Sequence, residues 1–304
     1  MSTRSSRFAT AEGTNTGAFT SGDWATLLVV TGIWGSSFLW IAIGLDSFSA
    51  PSVAFLRVAL GGAALALYPP ARIRVDRSAW PAIALIGIAG NAGPALLFAL
   101  AQQRVESSVA GMINAATPLA VLVVSIALLK KTPGRLQVVG LLVGFLGVML
   151  MAAPNVLGAD AQLLGVLLLL IAVAGYGLSN NLVVPLQQRY GGPAVIMRAL
   201  LFGAVLLAPW GVTDTITADP SGRSILAVLI LGVVGTGVAR ALAASLAGRT
   251  GASRSALVAY LVPVVAIALG VLFRSESVGA IEIGGTSLVL LGAYLTTRPQ
   301  LRPA

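Results

Sequence analysis

The sequence predicts an all-α integral membrane protein of ten transmembrane helices, arranged as two inverted five-helix repeats. Three observations carry that expectation: scarce charge, apolar runs of bilayer length, and punctuating residues that recur in register between the halves. Of 304 residues, 57% are hydrophobic and 10% charged, with a mean hydropathy of +0.93. A soluble domain carries about 25% charged residues because its surface faces water. Here the charges are too few to coat such a surface, and lipid is the solvent that fits.

A bilayer core of about 30 Å takes about 20 apolar residues at a rise of about 1.5 Å each. Such runs lie at 24–45, 51–69, 81–102, 107–129, 135–153, 162–185, 193–212, 224–245, 252–272 and 278–297. The connections between them hold turn residues: Asp46 to Pro51, Pro69-Pro70, Lys130 to Gly134, Gly191-Gly192-Pro193 and Asp219-Pro220-Ser221-Gly222. Residues 1–23 are polar and Ser/Thr-rich and read as a disordered cytoplasmic tail. The run from Trp24 ends in no small-residue cleavage site, so it reads as a span and not a signal peptide. Residues 24–153 then form the first repeat, 162–297 the second, and 298–304 a second cytoplasmic tail.

Orientation follows from lysine and arginine. With the N-terminus cytoplasmic, the inner segments hold thirteen of the 19 basic residues: Arg4, Arg7, Arg72, Arg74, Arg77, Lys130, Lys131, Arg135, Arg189, Arg249, Arg254, Arg298 and Arg302. The outer loops hold Arg104, Arg223 and Arg274. That bias puts both termini in the cytoplasm and requires an even number of spans. It also explains the net charge of +9 without nucleic acid, since the basic residues are scattered through short loops.

An offset of 145 residues brings Gly87 onto Gly232, Gly90 onto Gly235, Arg104 onto Arg249, Pro118 onto Pro263, Gly140 onto Gly285 and Gly147 onto Gly292. Earlier in the repeat an offset of 141–142 pairs Trp34-Gly35 with Tyr176-Gly177, Pro51 with Pro193, Arg57 with Arg198 and Gly62 with Gly203. Five spans per unit is an odd number, so the second copy inserts upside down. Inverted repeats are the architecture of alternating-access carriers, whose substrate sites lie at mid-membrane between the halves. Fold alone does not fix function, however.

The residues Trp34-Gly35-Ser36-Ser37-Phe38, with Pro51 and Arg57 after them, resemble the opening of EamA-type proteins of the drug/metabolite transporter superfamily. So do Asn114-Ala115-Ala116-Thr117-Pro118-Leu119, the run Gly140 to Val148, and Ala252-Ser253-Arg254-Ser255 continuing to Tyr260-Leu261-Val262-Pro263. The likeness covers nearly all of residues 24–297. It implies a ten-helix bacterial inner-membrane exporter of amino acids or other small metabolites, with a central cavity between repeats and no bound cofactor.

Charges inside a bilayer cost roughly 2.5–3.5 kcal/mol at the centre on insertion scales, so each requires a reason. Arg57 and Arg198 enter their spans from opposite sides and read either as snorkelling side chains or as cationic groups at the two mouths of a pathway. Arg240 sits deeper and is a candidate for facing a cavity, as a carboxylate contact or paired to another helix. Glu282 is the only acid within a predicted span and is the candidate for carrying a coupling proton. A proline frees the carbonyl four residues back, and exposed backbone is tolerated in a membrane only beside protein or a water-filled cavity. Pro118 and Pro263, with Asn114, Thr117 and Tyr260 beside them, are therefore cavity candidates. Asn91, Asn180 and the mated mid-span aromatics Trp34 and Tyr176 complete the set. Bland readings stand beside these: interhelical hydrogen bonds for the polar groups, packing for the aromatics.

The chain has no histidine and no cysteine, which removes the commonest general base, the commonest metal ligand and thiol chemistry. No aspartate lies within a predicted span, so an aspartyl dyad is excluded, and the only lysines fall in a loop. Without a nucleotide-binding motif, coupling would come from an ion gradient or exchange. The expectation is a secondary transporter, and not an enzyme, with no metal and no cofactor. Its partners would be the lipid bilayer and a small molecule that could carry a carboxylate. An exporter of lipophilic drugs or other solutes, or a non-carrier channel or scaffold, is the alternative. Oligomeric state is not legible.

Overall fold

The computed structural model describes residues 11–15, 17–105, 107–129, 134–156, 160–274 and 279–297, and among these every regular element is helical. Ten spans follow one another. They are α1 (Ser21–Leu45), α2 (Ala50–Leu67), α3 (Trp80–Gly87, Ile88–Ala92 and Gly93–Ala101 in continuity), and α4 (Ser107–Asn114 then Thr117–Leu129). After them come α5 (Arg135–Val156), α6 (Asp160–Tyr190), α7 (Gly192–Thr217), and α8 (Gly222–Ile230, Leu231–Val238 and Ala239–Thr250 in continuity). The last two are α9 (Ala252–Ser255 then Val258–Arg274) and α10 (Ala280–Thr297). Six of them (α1, α2, α3, α6, α7 and α8) are long and apolar enough to cross a bilayer, and the other four contain shorter apolar stretches. Leu28, Leu146, Leu163, Ile171 and Val205 stand exposed on the outside of the bundle, as lipid-facing side chains must.

The inversion is visible in the packing. A Cβ on Gly61 of α2 would lie 2.8 Å from the Gly232 carbonyl oxygen of α8, and one on Gly203 of α7 would lie 3.3 Å from the Gly87 carbonyl oxygen of α3. Gly232 and Gly87 are repeat mates, so the second helix of each repeat rests on the third helix of the other. Small residues permit that backbone approach, which is how helices associate where no hydrophobic effect drives them together. α5 and α10 form a second glycine-lined pair, with Gly147 against the Gly285 carbonyl and Gly292 against the Gly140 carbonyl.

Both third helices carry a π-helical stretch at matching places, Ile88–Ala92 in α3 and Leu231–Val238 in α8. In each, a polar side chain reaches back five residues. The Asn91 amide donates to the Ile86 carbonyl at 3.0 Å, and the Thr236 hydroxyl donates to the Leu231 carbonyl at 2.9 Å. In α3 the cause is Pro94, which has no N–H for Gly90 and whose ring would crowd that carbonyl in a regular helix. α8 has alanine at the corresponding place; its glycine-rich run Leu231–Val238 lies instead against Leu60 and Gly61 of α2.

α4 and α9 are both interrupted, at residues 115–116 and 256–257. Pro118 stands just inside the second half of α4, as a helix start permits. Pro263 differs: it lies within the second half of α9, well past that break.

Residues 11–15 and 17–20, expected to belong to a disordered tail, lie instead in an extended strap across the ends of α6, α8 and α9. The backbone N–H groups of Thr14 and Asn15 donate to the Gly248 and Arg249 carbonyls at 3.2 and 2.7 Å. Arg254 donates to the Asn15 and Gly17 carbonyls and lies 4.5 Å from the centre of the Phe19 ring. Thr20 and Asp23 form a capping box that starts α1, and Asp23 also pairs with Arg249 at 2.9 Å. Polar composition suggested disorder because it gives little apolar area to bury; the last carbonyls of α8 and the donating side chains of Gln188 and Arg254 supply hydrogen bonds in its place.

Candidate functional site

A cavity lies between the halves, with about 540 Å³ of atom-free space counting its open part. Trp34, Ser37, Phe38 and Ile41 of α1 line it, with Arg57 of α2, Phe98 of α3, Asn114 and Thr117 of α4, Tyr176 and Asn180 of α6, Arg240 of α8 and Ala259 of α9. At about 1.5 Å rise per residue, Ala259 is about 10 Å along α9, Trp34 about 20 Å along α1 and Ile41 about 30 Å. Both helices start at the face that carries the strap. The cavity thus occupies the middle of the bundle and extends away from that face.

Two cations define its polar side. Arg57 is 7% exposed, and its Nε donates to the Thr236 hydroxyl at 3.1 Å. That hydroxyl is held in place by its own bond to Leu231 in the π-helical stretch. Arg240 follows Thr236 by four residues and so stands one turn further along the same face of α8. Its guanidinium carbon lies 4.7 Å from the centre of the Tyr176 ring and 5.5 Å from that of Trp34. The repeat-mated aromatics therefore flank a single cation, each contact worth about 0.5–2 kcal/mol. Trp34 is fixed by its indole N–H, which donates to the Gly235 carbonyl at 3.0 Å. Phe98 connects the apolar side, with ring centres 5.8 Å from Phe38 and 6.0 Å from Tyr176.

The interrupted α4 supplies polar groups. Pro118 cannot donate to the Asn114 carbonyl, and the Thr117 hydroxyl does so in its place at 2.6 Å. Pro263 likewise has no N–H for the Ala259 carbonyl, and Ala259 lines the cavity. The two prolines thus act on the wall through the residue four before each, without lining it.

Of the residues singled out in the sequence, Trp34, Asn114, Thr117, Tyr176, Asn180 and Arg240 line the cavity together. Arg57, placed by the sequence at a mouth, lines it too, because its helix packs against the π-helical stretch of α8. Arg198, its mate, does not. It is engaged by the Ala71, Ile73 and Ala194 carbonyls at 3.1, 2.6 and 2.9 Å and anchors the α2–α3 connection. Tyr260 is fully buried outside the cavity, with its hydroxyl on the Leu141 carbonyl at 2.8 Å and its ring against Gly144. Asn91 is buried in the α3 π-helical stretch, also outside the cavity. The Glu282 side chain lies outside the described residues. Sequence reasoning missed Ser37, Phe38, Ile41, Phe98 and Ala259, and missed Thr236 as the anchor of Arg57. Thr236 was findable, since it occupies the repeat position of Asn91; the apolar residues carry no signal that separates them from lipid-facing ones. Among the described residues, no aspartate or glutamate lines the cavity, and no three acidic side chains gather to hold a metal.

The EamA-like transporter family matches residues 21–153 and again 163–298, once for each repeat. The chain is 26% identical over 288 residues to a "probable terminal-alkyne amino-acid exporter" of Streptantibioticus cattleyicolor, covering 91% of this chain and 94% of that protein. It is 27% identical over 289 residues to the "uncharacterized inner membrane transporter YedA" of Escherichia coli K12, covering 89% and 92%. Its fold is similar to that of one crystal structure at 19% identity, with a TM-score of 0.73 over 91% of this chain and 96% of the other.

Proposed function

The chain belongs to the EamA-like transporter family, and from that premise we propose that it is a secondary active transporter exporting amino acids or similar small metabolites by alternating access. The single observation that carries this reading is the cavity between inverted halves, at mid-depth, lined by both repeats. A carrier exposes one site to each side in turn, and two units related by inversion supply two equivalent ways of closing around it. The strap and the Asp23–Arg249 pair lie across the face that would be closed in this conformation. The named relatives, an amino-acid exporter and an inner-membrane transporter, support the substrate range and a bacterial inner-membrane location. The bias of basic residues supports cytoplasmic termini. Export of lipophilic compounds is the second reading, favoured by Phe38, Ile41 and Phe98 along one wall.

The test is counterflow. Purified protein in liposomes loaded with one unlabelled amino acid or derivative at a time should transiently accumulate the same labelled compound above its external level. A pore or scaffold drives no such exchange. Failure across the panel, with a control carrier working, would refute the carrier reading for this class of solute. In the same vesicles, Glu282→Gln should abolish stimulation by a pH gradient while sparing counterflow, if Glu282 carries the coupling proton.

A further inference from the structure

Arg57 and Arg240 face one cavity, and among the described residues neither has an acidic partner. Among the described residues, Arg57 makes one side-chain hydrogen bond, to the Thr236 hydroxyl. Arg240 makes cation–π contacts to Trp34 and Tyr176, and among the described residues no hydrogen bond or ion pair to its guanidinium is found. A guanidinium carries five donors in a planar fork that matches a carboxylate edge-on, and aromatic faces leave that edge free. The rings hold the plane of Arg240 and do not satisfy its N–H groups. Its contrast is Arg198, the repeat mate of Arg57, which spends its donors on three backbone carbonyls. An unpaired cation within a membrane domain is costly, and a functional partner is the default expectation.

The rest of the wall narrows the partner. Phe38, Ile41 and Phe98 offer an apolar surface beside the two cations. Nothing acidic lines the cavity among the described residues, so a free ammonium group would meet two like charges with no counter-charge. The neutral polar groups, Asn114, Thr117 and Asn180, suit an amide or carbonyl.

We infer that the cavity selects organic monoanions: a carboxylate set against Arg240 and Arg57, an apolar body against Phe38 and Phe98, and no free ammonium. This rests on the carrier reading in taking the cavity as the substrate site. Among amino-acid-like molecules it favours N-acylated or oxo-acid forms over zwitterions.

The experiment is a binding measurement on the full chain in nanodiscs, by titration calorimetry, with three matched probes: N-acetylleucine (anion), leucine (zwitterion) and N-acetyl-leucinamide (neutral). N-acetylleucine should bind at least tenfold more tightly than either of the others. Arg240→Gln should lose that margin while leaving the weak binding of the neutral amide unchanged, which also reports that the variant is folded. Arg240→Lys should keep part of the margin, and Arg223→Gln, on the exposed start of α8, should keep all of it. Equal binding of the three probes, no binding of any, or a margin that survives Arg240→Gln would each overturn the inference. Because binding is read without transport, the charge order observed in a protein that fails counterflow would sustain the site assignment while refuting the carrier. Counterflow of leucine without a charge order in binding would do the reverse.

Discussion

Thr236 holds two elements together with one hydroxyl, accepting from Arg57 and donating to the Leu231 carbonyl. Thr236→Val keeps the shape but leaves the buried Arg57 guanidinium without its acceptor, at a cost of about 1–3 kcal/mol. The expected result is a lower melting temperature in detergent, restored by Thr236→Ser. Tyr260 shows the opposite separation of stability from binding. Its hydroxyl bond to Leu141 crosses from α9 to α5 between two residues that do not line the cavity, so Tyr260→Phe should cost about 0.6–2 kcal/mol in thermal stability and leave substrate affinity unchanged. Tyr260 and Asn91 were legible in the sequence as polar groups inside spans, with cavity lining and interhelical hydrogen bonding both open to them. Polarity within an apolar run marks a group that needs a partner; whether the partner is a carbonyl or a solute depends on which helix face the next span covers.

The elements differ most at their close approaches. A Cβ on Gly90 would stand 2.0 Å from the Ser179 Oγ and 2.5 Å from its Cβ, whereas one on the mated Gly235 would meet nothing nearer than the rotatable Ser37 Oγ at 3.0 Å. Gly90→Ala should therefore depress the melting temperature markedly and Gly235→Ala only slightly, although the repeat makes the two positions equivalent in sequence. The α5–α10 pair is more rigidly constrained, because a Cβ on Gly147 would lie 2.5 Å from the Gly285 backbone oxygen. Gly147→Leu must separate the two helices, and loss of folded protein on size-exclusion chromatography is the expected readout. The offset of 145 located these glycines. It did not reveal that one serine would be packed tightly and its mate loosely, since that follows from the small asymmetry between the copies.

For the whole molecule, the absence of cysteine makes orientation directly measurable by introducing single cysteines. In intact cells, Ala218→Cys, after α7, should react with a membrane-impermeant maleimide, and Asp76→Cys, between α2 and α3, should not; the reverse pattern would invert the bundle. What the sequence determined by itself is the ten-span, two-repeat architecture and its expected orientation. These depend on the length of apolar runs, on their number and on the bias of charge, all properties of segments that the bilayer acts on one at a time. What only the tertiary structure decided is which polar side chains share a space. Arg57 and Arg198 are equivalent by repeat, yet Arg57 reaches the cavity across the glycine contact between α2 and α8, while Arg198 is used up on the connection beside α7. Trp34 and Tyr176, one from each half, meet over Arg240 because inversion brings distant mid-span positions to one depth. Hydropathy is summed along a helix, whereas a binding site is assembled between helices, and the rotation of each helix about its axis is set by packing against its neighbours.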